Sequence, residues 1–136
     1  MKNYVLGFAF DTNAENVALI EKQRPDWQKG LLNGIGGHIE AFESPLEAMI
    51  REFREETGVH VESWGHYLTM KGHTWTCETY RAFDINLNNL MTTTDETIVI
   101  CKVLPDRQHL LKNIRWLIEL ALDPEPSSPN VIHYAS

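Results

Sequence analysis

The sequence predicts an α/β fold, in which helices pack against a mixed β-sheet. Two amphipathic helices lie among runs of β-branched and aromatic residues, and turn-forming residues separate these runs. The chain has 136 residues and 43% hydrophobic content, with no long repeat. These values predict one globular domain over residues 1–136 that can bury a core of its own.

Two strands and an extended segment are predicted before the first helix. The run NYVLGFAF at 3–10 predicts a strand, and turn formers at 11–13 join it to a hairpin partner at 16–22. A surface loop with Pro, Asp and Gly is expected at 24–30. Residues 31–40 follow as an extended segment that three glycines interrupt.

The first helix carries boundary signals at both ends. Ser44 is a candidate N-cap, Pro45 suits the first helical position, and Glu47 completes a capping box. Gly58 provides the left-handed stop at the C-terminus. One apolar stripe at helical spacing lies between these ends and consists of Leu46, Met49, Ile50 and Phe53.

Three more strands are predicted after this helix, at 59–70, 74–87 and 97–103. A turn is expected at 71–73 and a polar loop at 86–95, because both segments are rich in turn-forming or polar residues.

A second helix is expected to begin within 110–112 and to end at Asp123-Pro124. Its apolar residues at helical spacing are Ile114, Leu117, Ile118 and Ala121. The tail at 125–130 has the composition of a linker, and 131–134 is apolar enough to dock back as a short strand.

Charge and cysteine content exclude several classes of function. The formal net charge of -7 argues against a nucleic-acid partner, since phosphate-backbone binding relies on clustered Lys and Arg. A small anionic ligand can still bind if a metal ion supplies positive charge. Cys77 and Cys101 have neither zinc-site nor disulfide-framework spacing. The N-terminal apolar stretch is too short to span a membrane and resembles no signal peptide, so we expect a cytoplasmic protein without a membrane partner.

Three glutamates share one face of the first helix. At about 100° per residue, Glu52, Glu55 and Glu56 project within a sector of roughly 100°, where like charges repel one another. A solvated face with salt bridges is one explanation. A cation site is the other, because a glycine-rich segment and the further acid Glu43 come just before the helix. Carboxylate and carbonyl oxygens are the ligands that Mg²⁺ and Mn²⁺ prefer.

Residues 37–59 form a longer pattern around these acids. Its specified positions are Gly37, Glu43, Arg51, Glu52, Phe53, Glu55, Glu56, Gly58 and Val59. The pattern resembles the signature of the Nudix hydrolases, G-x5-E-x7-R-E-U-x-E-E-x-G-U, where U is bulky and apolar. Every specified position is filled, and the one soft departure is the aromatic Phe53. The resemblance implies the Nudix fold, an α/β/α sandwich with a mixed β-sheet.

The resemblance also implies roles for the matching residues. Glu52, Glu55 and Glu56 are expected to be catalytic and to bind Mg²⁺ or Mn²⁺ together with the main-chain carbonyl of Gly36. Arg51 is also expected to belong to the catalytic set and to orient the glutamates through charge-assisted hydrogen bonds.

Three further positions of the signature are expected to shape the loop and the helix end. Glu43 would tether the loop or bind the metal through water. Gly37 and Gly58 would provide the loop bend and the helix stop.

The resemblance offers two sources for the general base. Glu52 is the acid of the signature that is most often placed to activate water. In some members the base comes instead from a later loop, for which Asp95 and Glu96 are the candidates. The sequence leaves this choice open.

The family hydrolyses a nucleoside diphosphate linked to another group, X. The run LNGIGGHIE is similar to members that remove oxidised purine nucleoside triphosphates. We therefore expect Mg²⁺-dependent hydrolysis of a (deoxy)nucleoside triphosphate to the monophosphate and pyrophosphate. The alternatives are ADP-ribose, a sugar nucleotide or a dinucleoside polyphosphate as substrate, or a non-catalytic nucleotide-binding module. A homodimer is a family-level expectation.

Three residues are candidates for contact with the substrate. Asn113 lies where similar proteins use an amide to read the purine edge, and a helix-capping or loop role is its alternative. Trp27 lies in a polar loop, where it could stack on a base or cover the sheet edge. His38 replaces the Lys or Arg that often follows the signature glycine, which argues against a fixed phosphate-binding cation at that position.

Overall fold

The computed structural model describes residues 1–103, 110–124 and 130–134. Two α-helices and eight strands lie within these ranges. The strands are β1 (Lys2–Phe10), β2 (Asn16–Glu21), β3 (Leu32–Asn33), β4 (Ile35–His38), β5 (Gly65–Lys71), β6 (Trp75–Ala82), β7 (Ile98–Lys102) and β8 (Asn130–His133). The helices are α1 (Pro45–Thr57) and α2 (Ile114–Ala121), and 3₁₀ turns cover Asp26–Gln28 and Leu87–Asn89.

Strand β1 lies at the centre of a mixed sheet. It runs parallel to β6, from Lys2 opposite Trp75 to Ala9 opposite Ala82. Its other edge pairs antiparallel with β4 and, near its end, with β2. The strand order is β3-β2-β1-β6-β5-β8, with β4 beside β1 and β7 beside β2. The pairing with β4 holds the glycine-rich segment that leads into α1.

Alternate side chains of β1 enter two separate hydrophobic clusters. Val5 and Ala9 belong to the cluster that contains the buried residues of α1, and Phe8 and Phe10 belong to the cluster that contains those of α2. The sheet therefore lies between the two helices. This arrangement confirms the predicted α/β/α sandwich with a mixed sheet.

The apolar stripe of α1 is narrower than its sequence pattern indicates. Met49 and Phe53 are fully buried, but Ile50 is half-buried and Leu46 is exposed. Phe53 packs edge-on against Trp64, with ring centroids 5.1 Å apart. The aromatic departure from the signature at Phe53 is thus accommodated by an aromatic partner.

Two of the predicted strands are shorter than expected. The prediction at 59–70 was wrong for its first half, because residues 59–64 are irregular and the strand begins at Gly65. Val61 and Trp64 are apolar because they pack beneath α1. Their spacing imitates the pattern of a strand. The strand predicted at 74–87 ends at Ala82, and Asp84 follows with a left-handed φ of 60°.

The extended segment at 31–40 and the start of the second helix also differ in detail. The segment contains two short strands, β3 and β4, that Gly34 separates. Leu110 forms a β-bridge with Leu32 instead of starting the helix, so α2 begins later, at Ile114.

The predicted C-terminal strand is confirmed, since β8 pairs in parallel with β5. Residues 125–129 of the expected linker lie outside the described residues. Both cysteines carry thiols rather than a disulfide. None of the helices within the described ranges is long and apolar enough to cross a membrane.

Candidate active site

A capping box fixes the start of α1. The backbone N–H of Glu47 donates to Ser44 Oγ at 3.1 Å, and the backbone N–H of Ser44 donates to Glu47 Oε1 at 2.9 Å. Gly58 ends the helix with a φ of 77° and donates its N–H to the Arg54 carbonyl at 2.8 Å. Both ends of α1 are therefore held by the residues that the sequence marks for them.

The loop between β4 and α1 closes on itself through Glu43. Its carboxylate accepts from the backbone N–H of Glu40 at 3.0 Å, and its own N–H donates to the Glu40 carbonyl at 3.2 Å. Phe42 lies at the turn with a φ of 65° and a fully exposed side chain. The turn directs the Glu43 carboxylate towards the helix.

Arg51 binds that carboxylate through two hydrogen bonds. Its Nε donates to Glu43 Oε2 at 2.7 Å and its Nη2 to Glu43 Oε1 at 2.9 Å. These bonds lower the pKa of Glu43 below its usual value and raise the pKa of Arg51. The pair is therefore charged at neutral pH, and it fixes the loop to the middle of α1.

The same guanidinium contacts two acids of α1 and a main-chain carbonyl of β4. Its Nη1 donates to Glu52 Oε1 at 2.8 Å and lies 3.3 Å from Glu55 Oε2. Its Nη2 also donates to the carbonyl of His38 at 2.9 Å. Arg51 thus joins β4, the loop and two of the three clustered glutamates.

Two glycines of β4 leave room for this arrangement. A Cβ on Gly37 would lie 2.5 Å from Glu52 Cδ and 2.6 Å from each of its carboxylate oxygens. A Cβ on Gly36 would lie 1.9 Å from the backbone oxygen of Val5 in the neighbouring strand. Gly37 is therefore required by the position of Glu52, and Gly36 by the close approach of β4 to β1.

Two of the three clustered glutamates are partly removed from water. Burial raises the pKa of Glu52, although its bond with Arg51 acts in the opposite direction. Burial also raises the pKa of Glu56, and the charge of Glu96 adds to this effect while a bond with Thr94 opposes it. Glu55 is more exposed. Burial thus disfavours the charged forms of Glu52 and Glu56, and Arg51 offsets part of this effect at Glu52.

The two candidate acids of the later loop have different environments. Glu96 is only 6% exposed, and its Oε2 accepts from the backbone N–H of Gln23 at 3.0 Å and lies 3.3 Å from Lys22 Nζ. The side chain of Asp95 is 59% exposed and forms an ion pair with Arg24. Glu96 therefore adjoins the glutamate cluster, whereas Asp95 faces solvent.

A family model described as the NUDIX domain matches residues 2–113. The chain belongs to the Nudix hydrolase family. It is an enzyme of the pyrophosphohydrolase class. Nudix hydrolases generally use divalent metal ions, and the family suggests a small-molecule nucleotide as substrate.

Solved Nudix structures share the fold. A MutT described from Aliivibrio salmonicida and Vibrio cholerae is 22% identical, with a TM-score of 0.66 over 75% of this chain and 80% of that one. A MutT protein from Bacillus halodurans is 20% identical, with a TM-score of 0.70 over 99% and 91% of the two chains. A NUDIX hydrolase from Nitrosomonas europaea is 16% identical, with a TM-score of 0.74 over 98% and 79%. No curated protein matches the sequence.

The donor set of this Nudix site fits a hard divalent cation. It consists of carboxylate and main-chain oxygens, and Gly37 leaves space for the Glu52 carboxylate that a larger residue would fill. Within the described residues, no three acidic, histidine or cysteine side chains converge closely enough to form a metal site by themselves.

The side chains of Asn113 and His38 contact residues other than the clustered acids. The Asn113 side chain does not cap α2, and its Nδ2 lies 3.3 Å from the hydroxyl of Tyr134. The ring of His38 packs against Tyr4 at 4.5 Å, so that only its carbonyl contacts Arg51. Trp27 is exposed in the first 3₁₀ turn. Asn113 thus occupies the N-cap position of α2 without a side-chain cap bond, which agrees with the helix-start or loop alternative, and contact with substrate stays a prediction.

Sequence reasoning missed two residues of the site, Lys22 and Thr94. Lys22 directly follows β2 and brings an ammonium group beside Glu96. The hydroxyl of Thr94 donates to Glu56 Oε2 at 3.0 Å. Neither lies in the signature. Only the pairing of distant segments brings these two residues to the acids.

Proposed function

We propose that this Nudix enzyme hydrolyses a (deoxy)nucleoside triphosphate to the monophosphate and pyrophosphate, with Mg²⁺ or Mn²⁺ as cofactor. The observation that carries the proposal is the contact of one guanidinium, that of Arg51, with Glu43, Glu52 and Glu55. An ion-pair network of exposed charges does not require a glycine beneath one of its acids, whereas Gly37 makes room for Glu52. This arrangement supports a pre-organised cation site rather than a solvated helix face.

The proposed ligands are the carboxylates of Glu52, Glu55 and Glu56 and the main-chain carbonyl of Gly36. A bound divalent ion would supply charge neutralisation for the phosphate oxygens and a lowered pKa for bound water. Arg51 orients Glu52 from one side and keeps Glu43 in place on the loop. Since the acids outnumber the cations that contact them, the site favours a ligand that arrives with a metal ion.

We assign the later-loop base to Glu96 rather than to Asp95. A base has to be held near the reacting water and must retain lone pairs for its proton. Glu96 is held by Gln23 and Lys22, and each carboxylate oxygen has a second lone pair available. Glu52, which accepts from Arg51 on Oε1, stays the alternative base. In this proposal Glu96 accepts the proton of the attacking water at a carboxylate oxygen.

The nucleoside part of the proposal rests on the sequence around the signature. Asn33 and Gly34 form the Asn-Gly pair before the glycine-rich strand, and Asn113 begins α2 with an amide that contacts Tyr134 rather than capping the helix. Lys22 is the cation that we expect to contact a substrate phosphate. Trp27 and His38 are weaker candidates for substrate contact.

A turnover panel tests the proposal. Wild type, Glu56→Gln and the control Glu62→Gln are assayed with Mg²⁺ and with EDTA against dGTP, oxidised dGTP, pyrimidine triphosphates, ADP-ribose, a sugar nucleotide and a dinucleoside polyphosphate. Glu62 is the control because its side chain is 75% exposed and it lies outside the signature. We expect Mg²⁺-dependent pyrophosphate release that Glu56→Gln reduces by at least about 100-fold and Glu62→Gln leaves unchanged.

Other outcomes separate the alternatives. Preference for ADP-ribose, a sugar nucleotide or a dinucleoside polyphosphate would retain the chemistry and replace the proposed substrate. Tight nucleotide binding without metal-dependent turnover of any substrate would contradict the enzymatic proposal and favour a binding module.

A further inference from the structure

The loop between the second 3₁₀ turn and β7 is attached to the C-terminal half of α1. The backbone N–H of Met91 donates to the carbonyl of Thr57 at 3.0 Å. The hydroxyl of Thr93 donates to the carbonyl of Glu55. The hydroxyl of Thr92 accepts from the backbone N–H of Ile98 at 3.0 Å. The first two bonds fix the loop against the last turn of α1, and the third joins the loop to the start of β7.

Thr94 differs from its two neighbours because its hydroxyl contacts the carboxylate of a clustered glutamate. It donates to Glu56 Oε2 at 3.0 Å and accepts from the backbone N–H of Glu96 at 3.1 Å. The carbonyl of Glu96 lies farther away, at 3.5 Å. Since a hydroxyl carries one proton, the shorter contact assigns that proton to Glu56 and leaves the lone pairs for the N–H of Glu96.

We propose that Thr94 is a positioning residue that holds the Glu56 carboxylate in the orientation that binds the divalent cation and fixes it relative to Glu96. The inference rests on the proposed function, since it takes Glu56 as a metal ligand. Thr94 contacts neither substrate nor metal in this account, and it acts through Glu56.

The surroundings of Glu56 explain why one hydroxyl matters. Within the part of the chain that the structure describes, Thr94 supplies the hydrogen bond that this carboxylate receives. Arg51, which orients Glu52 and Glu55, does not reach it. A glutamate side chain loses conformational entropy when it binds a cation in one rotamer. A hydrogen bond to a fixed loop restricts the side chain beforehand, so less entropy is lost on binding.

Three variants in the same loop separate positioning from general loop stability. Thr94→Val keeps the shape and removes the donor, and Thr94→Ser keeps the donor. Thr92→Val is the matched control, because it removes a hydroxyl that bonds the loop to Ile98 and touches no acid of the site. Thr94→Ala serves as a second donor-free variant if Thr94→Val does not fold, and thermal unfolding of each protein verifies folding.

The primary readout is Mn²⁺ binding to the protein without nucleotide, followed by electron paramagnetic resonance. We expect the Mn²⁺ dissociation constant to rise about tenfold in Thr94→Val, as is typical when an outer hydrogen bond to a metal ligand is removed. Thr94→Ser should remain within about twofold of wild type, and Thr92→Val should equal it. In a Glu56→Gln background, Thr94→Val should have no further effect on Mn²⁺ binding.

Three results would overturn the inference: unchanged Mn²⁺ binding in Thr94→Val, equal weakening in Thr92→Val, or failure of Thr94→Ser to restore binding. Turnover measured in parallel distinguishes this failure from failure of the proposed function. If the wild type binds Mn²⁺ but hydrolyses no nucleotide, the proposed function is contradicted. The Mn²⁺ affinities of the Thr94 variants then still test the inference. Wild type that binds no Mn²⁺ would contradict both.

Discussion

Arg51 and Glu43 form a two-point contact across eight residues of sequence, with Nε to Oε2 at 2.7 Å and Nη2 to Oε1 at 2.9 Å. A lysine cannot reproduce it, because an ammonium group is a point donor without the planar fork of a guanidinium. We expect Arg51→Lys to lower Mg²⁺-dependent turnover by about 10- to 100-fold, through loss of the loop contact and of Glu52 orientation.

Steady-state kinetics at several Mg²⁺ concentrations would measure this effect. Arg54→Lys is the matched control, since Arg54 is exposed on the same helix. Wild-type turnover in Arg51→Lys would show that the loop contact is dispensable.

Gly37 should be sensitive to a single added methyl group. A Cβ there would meet the Glu52 carboxylate at 2.5 to 2.6 Å, so that Gly37→Ala must displace an acid of the site. We expect turnover to fall by at least about tenfold, because small misplacements of reacting groups are costly. Gly65→Ala is the control, since the nearest atom to its Cβ is the Arg81 carbonyl oxygen at 3.8 Å. Equal activity of the two alanine variants would argue against a fixed Glu52.

Glu56 should destabilise the protein when no cation is bound. Burial raises its pKa, so its contribution to stability is greatest below the ordinary pKa of a glutamate and is lost as the pH rises through the raised value. Near neutral pH in EDTA, Glu56→Gln should therefore have a higher Tm than wild type, and the difference should vanish in acid. Mg²⁺ should raise the Tm of wild type but not of the variant. Differential scanning calorimetry with and without Mg²⁺ measures both effects, and a lower Tm of the variant in EDTA would refute the prediction.

Tyr67 should contribute to stability without contributing to catalysis. Its buried hydroxyl donates to the carbonyl of Leu117 at 2.9 Å and joins β5 to α2 on the side of the sheet opposite α1. Tyr67→Phe should lower the free energy of unfolding by about 1 kcal/mol, the usual net value of such a bond. Urea denaturation gives this value, and kcat with Mg²⁺ should stay at the wild-type level. A matching loss of kcat would mean that the two faces of the sheet are coupled.

Local signals made the central helix predictable in detail. The capping box at Ser44 and Glu47 and the left-handed stop at Gly58 involve contacts within a few residues, so the bounds of α1 follow from sequence alone. The signature marked Gly37 as a structural loop glycine, and the structure places it in β4 against Glu52.

Contacts between distant segments account for what the sequence did not predict. Residues 59–64 contain Val61 and Trp64, which are apolar because they pack beneath α1 and not because they form a strand. Lys22 and Thr94 enter the site through Glu96 and Glu56, and no spacing rule connects those positions. The choice between Asp95 and Glu96 likewise depends on burial, which two adjacent acids in a loop do not reveal. The domain extent over 1–136, the cytoplasmic location and the homodimer stay predictions.

The parallel pairing of β1 with β6 has a consequence for the order in which the molecule assembles. The paired residues are about 70 positions apart along the chain, so closing this pair demands a long loop and slows folding relative to local hairpins. On a ribosome, β1 waits without its parallel neighbour until β6 has emerged, and an unpaired strand edge is prone to aggregation meanwhile. Production of the protein should therefore benefit from chaperones more than from stabilisation of α1.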